Sequence, residues 1–114
     1  METEKRDING KIRTIGMVDI DWKDQMKPVE ILRLTFGEDL KIRNACTKIS
    51  MTGGQPSVSV DQEKMTLMNL KSSIIKAPFP ITEIDIGLLD KDVAADILEV
   101  FNELNNPSEK KKES

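Results

Sequence analysis

The stretch MVDIDWKDQMKPVEILRLTFGED, Met17 to Asp39, changes its apolar period along its length, and that change decides the fold class. Val18, Ile20 and Trp22 alternate with Asp19, Asp21 and Lys23. Successive side chains of a strand point to opposite faces, so this alternation predicts a half-buried strand. After the connector DQMKP, the segment VEILRLT is short and rich in branched residues, which predicts a second strand closing a hairpin with the first. Thr35 and Glu38 then stand at the spacing of a capping box, in which each side chain accepts from the other residue's main-chain N–H. A helix is expected to start at Phe36.

Outward from this stretch the pattern alternates between the two periods. Ile42, Ala45, Cys46 and Ile49 recur at helical spacing, so the first helix is expected to span residues 36–49. Gly53-Gly54 marks a turn, and PSVSV (Pro56 to Val60) is a short third strand candidate. A second helix is expected from about Asp61 to Lys76, with Leu67, Met68, Leu70, Ile74 and Ile75 covering a wide arc. The prolines of APFP, which disfavour helix in the residue before them, end it. In ITEIDIGLL, Thr82 and Asp85 form a capping pair for one short turn. The last helix is the clearest. Asp90 is its N-cap, and Val93, Ala94, Ile97, Leu98, Phe101 and Leu104 line one side, opposite Asp92, Asp96, Glu99 and Glu103.

The expected fold class is therefore α+β, a small antiparallel sheet (the hairpin plus a short third strand) packed against about three α-helices. Residues 12–106 form the expected single domain. Residues 1–11 are polar and are expected to be mobile. Residues 107–114, PSEKKKES, have too little apolar surface to offset their ordering entropy and are expected to be disordered.

The chain has 114 residues, 17 basic and 20 acidic, a formal charge of −3 that speaks against bulk polyanion binding. Its one cysteine allows no internal disulfide, and no stretch approaches the ~20 apolar residues of a membrane helix. No secretory pattern opens the chain, so a soluble, cytoplasmic protein is expected. Histidine is absent, which removes the commonest general base near neutral pH and the commonest zinc ligand. Cys46 lies on the apolar stripe of its helix and reads as a small buried side chain. Asp19 with Asp21, and the acids of the last helix, read as solvated faces. MTGGQPS lacks the Lys-Ser/Thr ending of a phosphate loop. No catalytic, metal or cofactor residue is assigned, and no enzyme activity is expected. Lys41, Arg43 and Lys48 on the helix 36–49 offer a basic face for nucleic acid. The same charges also fit an ordinary surface helix, whose first turn here carries Glu38 and Asp39.

The order VEILRLTFGE, RNACTKISMTGGQPSVSVD, LKSSIIKAPFPIT, ADILEVFNELNN, covering about Val18 to Asn106, resembles the small tail-assembly chaperones of long-tailed bacteriophages and proviruses. The resemblance rests on order and composition, not on a diagnostic motif. It implies a non-enzymatic protein that coats the helical tape-measure protein before the tail tube assembles around it. The host cell cytoplasm would then be its location, a tape-measure or other tail protein its partner, and homo-oligomers are allowed. The resemblance also implies a longer, frameshifted form. EKKKE, Glu109 to Glu113, sits where the shift would fall, while a solubilising lysine tail is the plainer reading. A chaperone of this kind needs apolar surface beyond its own core. Met65 and Met68 on the second helix, and Phe79 and Ile81 in the proline-braced APFPI, are the candidate partner-binding residues, with core packing as the competing reading of each. The alternative function is a small nucleic-acid-binding or regulatory protein using Lys41, Arg43 and Lys48.

Overall fold

The computed structural model describes residues 2–106, which form a mixed α+β fold. A four-stranded antiparallel sheet has the order β1 (Glu2–Ile8), β2 (Lys11–Trp22), β3 (Gln25–Leu32), β6 (Ile74–Lys76). A separate two-stranded sheet joins β4 (Thr47–Thr52) to β5 (Gln55–Val60). The helices are α1 (Phe36–Cys46), α2 (Gln62–Ser73), α3 (Glu83–Gly87) and α4 (Lys91–Asn105).

The alternation of β2 is realised as expected. Ile20 is buried, Val18 and Trp22 are half-buried, and Asp19 and Asp21 are exposed. The register sets Val18 opposite Val29 and Gly16 opposite Ile31, so one face of β2–β3 is a continuous apolar surface. The α4 helix packs on that face, and Ile97, Val100, Phe101 and Leu104 join Ile20, Val29 and Ile31 in the main core. Full burial of one such side chain contributes about 1.5–3 kcal/mol. The opposite face is charged. Arg6 bonds Glu4 and, at 2.7 Å, Glu30, while Ile15 and Leu32 are buried as a facing pair among these groups.

The capping box forms as expected: the Thr35 hydroxyl accepts from Glu38 N at 3.2 Å, and Glu38 Oε1 accepts from Thr35 N at 2.8 Å. Arg13 donates to the same Glu38 oxygen at 2.7 Å and to Arg33 O at 3.0 Å, which ties the helix start to β2. Partial burial pushes the Glu38 carboxyl up, but the Thr35 N–H and the Arg13 guanidinium outweigh it and hold it below its ordinary value. At the other end, Asn105 Oδ1 accepts from Leu34 N at 2.9 Å and its amide donates to Phe101 O. The expected caps of α3 and α4, Thr82 and Asp90, both accept from main-chain N–H groups.

Four expectations are corrected. The first residues are not a mobile segment: Glu2–Ile8 pair along their whole length with β2, through a two-residue turn at Asn9 (φ 55°) and Gly10 (φ 82°). Such left-handed pairs match the twist of a hairpin, and Asn-Gly is the dipeptide that adopts them most readily. The β2–β3 turn is Lys23-Asp24, both at positive φ, so DQMKP is mostly strand instead of connector. The first helix ends at Cys46, not at 49. Its last expected stripe member, Ile49, lies in β4, because Thr47–Thr52 also alternate and pair with PSVSV across the Gly53-Gly54 turn. PSVSV therefore belongs to a second sheet, and the main sheet gains Ile74–Lys76, which leave α2 early to pair with Glu30 and Ile31. The tail 107–114 lies outside the described residues.

Candidate protein-binding surface

Among the described residues, two places where the fold leaves apolar side chains exposed bear on partner binding. The first is an open groove of about 640 Å³ between α1, α2 and the end of α4. Phe36, the first residue of α1 after the Thr35 cap, lines the groove and is 79 % exposed. Leu40, one turn on, is partly exposed on the same side of α1, while Ile42 and Cys46 are buried on the other. Met65 of α2 and Leu98 and Phe101 of α4 supply further apolar lining, but most of the lining is polar, with Arg33, Asp39 and Arg43 among it. Asn69 also lines the groove, and its Oδ1 is buried without a hydrogen-bond donor, a state that costs about 1–3 kcal/mol.

The second surface is the β4–β5 hairpin, an arm between α1 and α2. Its register places Ile49 opposite Val58, Met51 opposite Pro56, and Thr47 opposite Val60, all on one face. Lys48, Ser50, Ser57 and Ser59 take the other face, where the Ser50 and Ser57 hydroxyls lie 3.1 Å apart. At the base, Asp61 N donates to Cys46 O at 2.9 Å, and the Asp61 carboxylate meets Lys48 Nζ at 3.3 Å while capping α2 through Lys64 N at 3.1 Å.

The Lys64 N–H, and then Lys48, hold the Asp61 carboxyl below its ordinary value. A depressed folded value means that the ionised cap stabilises fully above about pH 4 and that this contribution fades as pH falls through the lowered value. The amide resonances of Lys64 and Lys48 are therefore expected to shift together in acid. In Asp61→Asn, which keeps a cap but does not ionise, that step should vanish from an NMR pH titration.

The candidate partner residues are scattered by the fold. Met65 lines the groove. Met68 faces α1, its Sδ 3.7 Å from Cys46 Sγ. Ile81 is half-buried against the main core. Phe79 is a correction: the prolines beside it do not present it to solvent. It is 4 % exposed, with its ring 5.6 Å from that of Trp22. The nucleic-acid face is also redistributed. Arg43 is paired with Asp39 at 3.0 Å, Lys48 has left the helix for the arm and is paired with Asp61, and Lys41 is exposed on α1. Neither Phe36 nor the arm was singled out from the sequence as partner-binding. The mirrored alternation of TKISM and PSVSV about Gly-Gly was the available signal.

Asp19, Asp96, Glu99 and Glu103 are brought to one shallow cleft beside Met17 and Val100. Among the described residues, no three His, Cys, Asp or Glu groups are placed to hold a metal ion, and no helix is long and apolar enough to cross a membrane. No protein-family model, curated protein or solved structure matches the chain.

Proposed function

We propose that this protein is a non-enzymatic tail-assembly chaperone of a long-tailed bacteriophage or provirus, which holds the tape-measure protein through apolar surface. The observation that carries the reading is the groove between α1, α2 and α4, where Phe36 is 79 % exposed beside Met65 and Leu98. An amphipathic helix binds such a groove by laying its apolar stripe along the floor and its polar flanks on the rim. Met65 adapts to different apolar side chains, which suits a client whose sequence changes along its length. The polar lining, which includes Gln62, Asn102, Arg33 and the Arg43–Asp39 pair, can bond polar groups of the client. The order of motifs from Val18 to Asn106 supplies the tail-assembly part of the reading.

Co-expression with the tape-measure protein of the same genome is expected to raise its soluble yield and to give a complex recoverable by pull-down. No gain in yield together with no complex would remove the reading. Phe36→Asp should weaken the complex at least about tenfold, since the loss of one buried aromatic anchor costs more than about 1.4 kcal/mol. Its circular dichroism and melting temperature should stay unchanged, because the side chain stands in water in the free protein. Lys41→Glu, also on α1, should leave binding within about twofold. Equal binding by Phe36→Asp and the unaltered protein would exclude the groove.

A further inference from the structure

The chain has four arginines, and among the described residues three of them meet carboxylates of the same chain. Arg6 pairs with Glu4 and Glu30, Arg13 with Glu38, and Arg43 with Asp39. Arg33 has no carboxylate partner among the described residues, and it lines the groove together with Phe36. Its main chain is fixed on both sides. Arg33 N donates to Thr14 O at 2.9 Å, and Arg33 O accepts from the Arg13 guanidinium at 3.0 Å. The next N–H, that of Leu34, donates to Asn105 Oδ1 at 2.9 Å. β2 and the end of α4 therefore hold the base of an exposed, unpaired guanidinium at the groove. Only its side-chain torsions are left for a ligand to order, which lowers the entropic cost of using it.

The charged lining of the groove is Arg33, Asp39 and Arg43. Asp39 and Arg43 neutralise each other at 3.0 Å, so Arg33 leaves one uncompensated positive charge there, in a chain whose formal charge is −3. A groove of that local sign favours a carboxylate. We propose that Arg33 selects the client segment. That segment is an amphipathic helix with an Asp or Glu on the flank of its apolar stripe; Arg33 takes the carboxylate while the stripe packs on Phe36, Met65 and Leu98. This rests on the chaperone reading of the groove and adds to it the charge that the client must bring. A guanidinium fits a carboxylate through two parallel N–H···O bonds, which fixes the direction and register of the bound helix. An exposed ion pair contributes little by itself. Here the client helix would cover one side of the pair, so water and salt screen it less. A segment with Lys or Arg at that place is refused, because like charges meet.

The test is binding of the full chain to the tape-measure protein of the same genome, with Arg33→Gln and Arg33→Lys beside the unaltered protein. Arg33→Gln should weaken the complex about fivefold at about 0.1 M salt, where the Debye length is roughly 10 Å. The difference should nearly close at about 1 M, where that length is roughly 3 Å. Arg33→Lys, which keeps the charge without the planar fork, should fall between the two. Melting temperatures should be unchanged, because the bonds at Arg33 use its main chain and the side chain is exposed. Among overlapping peptides of the tape-measure protein, those retained should carry an Asp or Glu beside an apolar stripe. Changing that acid to Asn or Gln should cost the unaltered protein as much as Arg33→Gln does, and cost Arg33→Gln nothing further. Equal binding by Arg33→Gln and the unaltered protein, with Phe36→Asp still weakened, would overturn the carboxylate contact and leave the chaperone reading standing. A loss of the same size at both salt concentrations would also overturn it and give Arg33 a packing role. No complex with the unaltered protein would remove both. Tighter binding of a single-stranded RNA oligomer than of the tape-measure protein, lost in Arg33→Gln, would overturn the contact and assign the guanidinium to phosphates.

Discussion

Phe79→Ala is expected to destabilise the protein by about 3–5 kcal/mol, the range for removing a buried aromatic ring and leaving part of its volume empty. Phe79 packs against the main core and lies tilted at 51° to Trp22, so its loss removes both apolar contact and an aromatic pair. A domain of this size is stable by about 5–15 kcal/mol, so the variant should unfold at a much lower urea concentration. Trp22 is the only tryptophan, and its emission should shift as the unfolding is followed. This outcome also separates core from surface. If Phe79 were a client-binding residue, the variant would melt like the unaltered protein and lose only binding.

Removing residues 1–10 is expected to cost about 2–4 kcal/mol. The deletion takes away β1, whose ladder with β2 runs from Glu2–Met17 to Ile8–Lys11, and with it the Arg6–Glu30 pair. Each ladder bond contributes roughly 1 kcal/mol net, and the entropy of ordering the strand offsets part of the sum. The newly open edge of β2 should also make the shortened chain associate, which light scattering would detect. An unchanged urea midpoint would mean that the first strand contributes nothing to the folded unit.

Both changes, the substitution and the deletion, fall where local patterns misled. Residues 1–10 read as a polar, mobile start because β1 has few apolar side chains. Its order comes from hydrogen bonds to β2 and from the Asn9-Gly10 turn, and that dipeptide, set between RDI and KIR, was a legible signal of a hairpin. Phe79 read as presented because two prolines brace it, yet nothing nearby in the chain says that Trp22 lies above the ring. Ile49 satisfies both a helical and an alternating pattern. Only its pairing with Val58 decides between them.

What the chain determines by itself depends on residues a few positions apart: the caps at Thr35, Asp61, Thr82 and Asp90, the turn at Gly53-Gly54, the stripe of α4 and the alternation of β2. These are local because a cap or a turn closes its hydrogen bonds within four residues. Tertiary structure alone decided which strands share a sheet and which apolar faces are covered. Ile20 in β2 and Ile49 in β4 both belong to alternating stretches, yet Ile20 is 1 % exposed and Ile49 is 73 % exposed. Alternation tells that a strand has an apolar face. Whether a helix lies on that face is a property of the rest of the molecule, because burial is created by what arrives from elsewhere in the chain.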